Sequence, residues 1–277
     1  MTYVIYMNLT CRSALTACVA VLALGLSFPS ASANTGDESF RDVITAGGQR
    51  QWLSCVGTGY PTVVISSGLG ADSSRWSKVL PQLRALTRTC ISDRPGLGKS
   101  PARIGSKTTD AGEHADELRS LLTSASESGP FILVGHSYAG LIARAFAAQR
   151  QSDVAGVLLL DGVYPGIHRT FLPSYKSPWH EGGTLIDMAA SERSTNGGPD
   201  LGATPLIVIT AGTPGNGTNW ADRKWNAEQV KAARLSSNSL HWIAKQSGHV
   251  IQQDRPAIVV AGVRELLQSA RTGKPLS

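Results

Sequence analysis

The stretch Phe131-Ile132-Leu133-Val134-Gly135-His136-Ser137-Tyr138-Ala139-Gly140 decides how this chain is read. An apolar run breaks at one serine set among small residues, and Leu141-Ile142-Ala143-Arg144-Ala145-Phe146 continues at once with helical character. A serine hydroxyl is a poor nucleophile until it is lifted clear of its neighbours and set against a base, and a sharp strand-to-helix turn does the lifting. Gly135 and Ala139 keep bulk away from that turn. The new helix aims unpaired backbone N–H groups at any anion forming beside Ser137.

Outward from this stretch, strands and helices alternate. Phe40 to Val56 predicts two strands joined at Gly47-Gly48, and Thr62-Val63-Val64-Ile65-Ser66-Ser67-Gly68-Leu69-Gly70 predicts a buried strand opening into a glycine loop. A helix is expected from about Ser73 to Leu86, with Trp76, Val79, Leu80 and Leu83 on one face, then a strand from Thr87 to Asp93. Asp110 with Glu113 forms a capping-box-like start for a helix through about Ser124, whose inner face carries Ala115, Leu118, Leu121 and Leu122. Strands follow at Val154 to Leu160, Pro205 to Thr210 and Leu240 to Ala244. A last helix starts near Pro256 and buries Val259, Val263, Leu266 and Leu267. Apolar strands alternating with amphipathic helices imply an α/β fold, a mostly parallel sheet covered on both faces. The chain shows no internal repeat and no low-complexity linker.

Length and composition fit one large domain of 277 residues. Residues 1–33 stand apart. Arg12 is their only charge, an apolar run covers Ala14 to Phe28, and Ala31-Ser32-Ala33 spells a cleavage site, so a secretory signal peptide is expected, with 34–277 as the mature domain and a secreted or periplasmic location. The competing reading is a single-pass anchor, for which the run is short. The chain carries 26 Lys and Arg against 20 Asp and Glu. Without Arg12 the balance is +5, spread with no basic run, which speaks for solubility and against nucleic-acid binding or stable membrane insertion. Cleavage also removes Cys11 and Cys18, leaving Cys55 and Cys90.

The elbow around Ser137 resembles that of the α/β-hydrolase superfamily, with Ala139 where the G-x-S-x-G pattern has its last glycine and Gly140 just after it. The motif order agrees from Phe40 to the last helix. The resemblance implies the α/β-hydrolase fold, a mostly parallel eight-stranded sheet with helices on both faces and a small lid insertion at about 163–202. In that family the second and fourth strands are neighbours, so a Cys55–Cys90 disulfide is implied, two buried thiols being the alternative. Gln246-Ser247-Gly248-His249-Val250-Ile251 matches the family's histidine loop, which makes His249 the base. His114, His168, His180 and His241 are read as surface or core, and His136 as packing.

The orienting carboxylate is less plainly marked. No acid follows the strand ending at Thr210 until Asp222, whereas Leu158-Leu159-Leu160-Asp161-Gly162 places one at a neighbouring strand end, as in some lipases. Asp161 takes the role, with Asp222 in reserve. By resemblance the oxyanion donors are the backbone N–H groups of Leu69 and Tyr138. Asp93-Arg94-Pro95-Gly96-Leu97-Gly98-Lys99-Ser100 matches a family turn read as structural, holding a buried ion pair or hydrogen bonds. No H-E-x-x-H or paired Cys/His spacing occurs, so no metal is assigned, and the chemistry requires no cofactor.

Within the insertion, Phe171, Leu172, Tyr175, Trp179, Leu185, Ile186 and Met188 either line a pocket over Ser137 or pack the insertion onto the body. Asn216-Gly217-Thr218 spells a glycosylation sequon. Together these readings imply a serine hydrolase that cleaves a small-molecule carboxylic ester through an acyl-enzyme on Ser137. The alternatives are amide, thioester or carbon–carbon hydrolysis by the same residues, or a ligand-binding protein without turnover. Dehalogenase and epoxide-opening relatives carry aspartate at the elbow, which disfavours those chemistries. Oligomeric state is left open.

Overall fold

A hairpin opens the fold, β1 (Phe40–Ala46) and β2 (Gln49–Val56), closed by Gly47 and Gly48, both at positive φ. The structure, a computed structural model, describes residues 39–171, 179–195, 201–212 and 220–277. The expected signal peptide, the sequon at Asn216 and the insertion residues Leu172 and Tyr175 lie outside the described residues. In chain order there follow β3 (Thr62–Ser66), α1 (Leu80–Arg84), β4 (Thr89–Ser92), β5 (Thr108–Thr109), α2 (Ala111–Ser124), β6 (Phe131–His136), α3 (Ala139–Gln149) and β7 (Val154–Leu160). The insertion supplies α4 (Ile167–Phe171), a hairpin of β8 (His180–Glu181) and β9 (Thr184–Ile186), and α5 (Met188–Arg193). Then come β10 (Leu206–Ala211), α6 (Trp220–Ala232), β11 (Ser239–Ala244), α7 (Ile251–Asp254) and α8 (Pro256–Thr272).

Eight strands form one sheet in the order β1-β2-β4-β3-β6-β7-β10-β11, and β5, β9 and β8 form a small second one. From β4 through β11 every pairing in the large sheet is parallel, and β2 is antiparallel to both of its neighbours. The order runs outward in opposite directions from the β3–β6 boundary, the switch point where α/β sheets open a crevice at the strands' carboxyl ends.

Side-chain alternation sorts the core into two layers. Val64, Leu133, Val157, Leu159 and Val208 point to one face and meet Leu118, Leu121, Leu122, Leu141 and Phe146 of α2 and α3. Ile65, Val134, Leu158, Leu160 and Ile209 point to the other and meet Trp76, Leu83, Val259, Val263 and Leu266. Both layers exclude solvent almost completely, as the apolar runs require. Cys55 faces Cys90 across the antiparallel β2–β4 pair, and the two are joined by a disulfide.

One expected helix is broken. Between Ser73 and Leu86 the chain makes a 3₁₀ turn, Ser73–Trp76, capped by Asp72, and then restarts as α1. Pro81 sits in the first turn of α1, where its missing N–H does no harm, whereas in a continuous helix it would interrupt the ladder. The apolar face is buried all the same, since Trp76, Val79, Leu80 and Leu83 are at most 8% exposed. Among the described residues, no helix is long and apolar enough to cross a membrane.

The Asp110 carboxylate accepts the N–H groups of Gly112 and Glu113 at 2.7 and 3.1 Å. Asp110→Ala should therefore lower stability by about 1 kcal/mol. Calorimetry should show this as a midpoint about 2–4 °C lower in a domain of this size.

Candidate active site

Parallel pairing delivers two functional side chains together. His136 of β6 lies opposite Leu160 of β7, so the next residue of each strand, Ser137 and Asp161, leaves the sheet beside the other. Both bend into the left-handed region, at φ 53° and 44°, which stores roughly 1–3 kcal/mol of strain at each non-glycine position. Hydrogen bonds hold the bends. Ser137 N–H donates to Leu160 O at 3.0 Å, its carbonyl accepts from Gly140 and Val163 at 2.9 and 3.0 Å, and Asp161 N–H donates to Ile209 O at 2.8 Å. A Cβ on Gly135 would collide with the Ala139 carbonyl, and one on Gly140 would lie 3.1 Å from the Gly162 Cα. Gly140 is thus the glycine this elbow needs, and Ala139, wholly buried, fits where it stands.

His249 arrives on the loop between β11 and α7, and its Nδ1 lies 2.6 Å from Asp161 Oδ2. The other oxygen, Oδ1, accepts from the Ala211 N–H at 3.1 Å and the Trp225 indole N–H at 2.9 Å. Asp161 is 1% exposed. With both carboxylate oxygens engaged, the His249 proton sits on Nδ1 and the Nε2 lone pair is free to act as a base. Trp225 also stands edge-on to the imidazole, ring centroids 5.9 Å apart and planes at 78°, and Tyr164 packs against Trp225 in turn. The loop turns at Gln246, φ 60°, rather than at Gly248, whose N–H is held by Asp254.

Ser137, Asp161 and His249 line one cavity of about 330 Å³. Val163, Ile167, Trp179 and Trp225 form its apolar wall, and Asp222 and Asn226 its polar one. The reserve carboxylate is therefore at the cavity, but Asp161 is the acid against His249. Of the insertion residues, Trp179 lines the cavity while Ile186 and Met188 are buried in the body, so both expected uses occur.

The loop after β3 crosses directly over Ser137, since a Cβ on Gly68 would lie 3.2 Å from Ser137 Cβ. Among the described residues, neither the Leu69 nor the Tyr138 amide donates a hydrogen bond elsewhere.

His136 does more than pack. Its Nε2–H donates to the His249 carbonyl at 2.8 Å, tying the elbow to the His249 loop. Burial, reinforced by His249, pushes its pKa down to about 4 and keeps it neutral. His114 is likewise buried, depressed to about 3 chiefly by desolvation, and bonded through Nδ1 to the Tyr138 hydroxyl at 3.2 Å. His241 bonds Thr210 at 2.7 Å, and His180 is exposed on the hairpin. Trp225 and His136 were not legible as site residues. The first lies in a largely polar helix that also carries Trp220, so the sequence does not single it out.

A strand–elbow–helix serine, a carboxylate-held histidine and a loop with open amides at the switch point of this sheet define an α/β-hydrolase site. The chain belongs to the α/β-hydrolase family: the model of the alpha/beta hydrolase fold matches residues 61–191. Over 207 residues it is 30% identical to the uncharacterized protein YqjL of Bacillus subtilis (strain 168), covering 72% of this chain and 80% of that one. An esterase from Thermogutta terrifontis superposes with a TM-score of 0.63 at 20% identity, over 84% of this chain and all of the other. Haloalkane dehalogenase DbeA from Bradyrhizobium elkani USDA94 gives 0.66 at 14% identity, over 86% and 100%.

Two substitutions probe the support around the base. Trp225→Phe keeps the ring and removes one donor to the carboxylate. It should lower kcat about tenfold with KM within about twofold, measured by steady-state kinetics. His136→Gln keeps a donor toward the His249 carbonyl but does not titrate. In the native enzyme the unfolded chain binds a proton below about pH 6.5 that folded His136 refuses until about 4, so stability falls as pH drops through that window. Denaturant midpoints from pH 7 to 4 should fall less steeply in His136→Gln than in the native chain.

Proposed function

We propose that this α/β-hydrolase cleaves a carboxylic ester through an acyl-enzyme on Ser137, with His249 as base and Asp161 as its orienting partner. The observation that carries the reading is the 2.6 Å contact between Asp161 and His249 at a cavity that Ser137 also lines. Ser137 Oγ attacks the acyl carbon as Nε2 takes its proton, and Asp161 stabilises the imidazolium. The Leu69 and Tyr138 amides receive the oxyanion, and the alcohol leaves with the proton held by His249. Water repeats the sequence and releases the acid. The esterase among the structural neighbours supports an ester as substrate, and the aromatic cavity favours a small or medium apolar acyl group. The dehalogenase neighbour does not draw the reading with it, because a serine stands at this elbow. Action outside the cytoplasm is part of the proposal and rests on the leader-like residues 1–33 and the Cys55–Cys90 disulfide.

Intact-mass measurement with a fluorophosphonate tests the nucleophile, since attack by Ser137 expels fluoride and leaves one phosphonyl group. One adduct is expected in the native chain and none in Ser137→Ala. Hydrolysis of p-nitrophenyl esters but not matched anilides should accompany it. An adduct retained in Ser137→Ala overturns the assignment.

A further inference from the structure

Arg94 and Glu181 form a buried bidentate ion pair, Nε to Oε1 and Nη2 to Oε2, both at 2.6 Å, with the residues 7% and 5% exposed. Such a pair is not needed for stability, because apolar residues of similar size commonly replace one without loss. Its remaining bonds converge on the loop above the nucleophile. Arg94 Nη1 donates to Ser67 O at 2.6 Å, Nη2 donates to Gly68 O at 2.7 Å, and Glu181 Oε2 accepts the Gly70 N–H at 3.0 Å.

We propose that the Arg94–Glu181 pair positions the oxyanion-binding amide of Leu69, so that the inserted β8–β9 hairpin is a working part of the catalytic apparatus. The inference rests on the serine-hydrolase reading above.

The peptide plane supplies the argument. Gly68 C=O and Leu69 N–H belong to one planar trans unit and point in opposite directions. A guanidinium that holds Gly68 O therefore aims Leu69 N–H the other way, with Gly68 itself stacked over Ser137. A cation on the carbonyl also polarises the unit and makes its N–H a stronger donor. Glu181 fixes the following peptide through Gly70, so the Leu69 unit is clamped on both sides.

The same pair reaches the second donor. The Arg94 guanidinium lies 5.6 Å from the Tyr138 ring centre, and the Tyr138 hydroxyl meets His114 at 3.2 Å and Ser191 of α5 at 3.4 Å. The hairpin that carries Glu181 can seat only where glycines meet. A Cβ on Gly182 would lie 2.6 Å from Pro95 O, and one on Gly96 would collide with the Gly182 carbonyl. Burial alone would raise the Glu181 pKa, but Arg94 draws it down to about 2, so the carboxylate stays ionised through the neutral range.

Glu181→Gln leaves Arg94 buried without a counter-charge and is expected to unfold readily. The decisive variant replaces both partners, Arg94→Met with Glu181→Leu. It should still fold, with a lower thermal midpoint because Ser67 O and Gly70 N–H lose their partners, while kcat for p-nitrophenyl acetate falls about 100-fold and KM stays within about threefold. Affinity for a trifluoromethyl ketone, whose adduct places an oxyanion in the same spot, should fall in parallel. Amide exchange of the peptide spanning residues 66–71 should quicken. A folded double variant with kcat within twofold of native and unchanged exchange overturns the proposal. So does one in which KM carries the whole loss. If the native chain takes no fluorophosphonate and hydrolyses no ester, the serine-hydrolase reading fails; quickened exchange in the double variant would still report the clamp.

Discussion

The pairing of β6 with β7 is the constraint on which the site depends. It places Ser137 and Asp161 at equivalent points of adjacent parallel strands, and each residue turns away from the sheet at positive φ immediately afterwards. A one-residue slip of either strand would send its own site residue, Ser137 or Asp161, to the opposite face and turn that strand's core residues from one layer to the other. The buried runs Ile132–Val134 and Val157–Leu160 resist such a shift, because every residue in them is at most 2% exposed. Packing away from the site thus fixes the distance between Ser137 and Asp161.

His249 is placed by a different principle. His249 follows an edge strand whose residues are mostly half-exposed, and its loop has no core of its own. Polar contacts hold it: Asp161 on Nδ1, His136 on the carbonyl, Asp254 on the Gly248 amide and the Trp225 edge against the ring. Strand packing sets two members of the site and hydrogen bonding sets the third.

This division explains what could be read in the sequence. Strands and helices were legible because burial on one face leaves a period of two or 3.6, and α2 and α8 bury the residues their patterns name. The elbow was legible because a tight turn demands small residues, and the match to known hydrolases marked His249. Asp161 was harder, since an aspartate at a strand end is common whatever its role, and only the folded chain sets it against His249 instead of Asp222. Trp225, His136 and Glu181 could not be read at all. Their roles come from contacts across 64, 113 and 87 residues of chain, and none leaves a local pattern. The break between Ser73 and Leu86 was missed for the opposite reason: the apolar face persists through it, and Pro81 alone marks the interruption.

Three histidines lie close to Ser137 or Tyr138, and burial decides which of them could serve as the proposed base. A general base must take up a proton and release it again within each turnover. His114 and His136 cannot, because desolvation opposes the imidazolium in both, and each spends a ring nitrogen on a fixed hydrogen bond. His249 keeps 43% of its side chain open, with a buried carboxylate behind it and the cavity in front. In the proposed mechanism a charge on His249 is met by Asp161 at 2.6 Å and by solvent-facing surface, whereas on His136 desolvation outweighs the pull of Asp161. Neither buried imidazole competes with His249 for the proton that the proposed mechanism takes from Ser137. The two idle rings serve as donors or acceptors of fixed direction, His136 at the base loop and His114 at Tyr138, and so stiffen the site they do not catalyse.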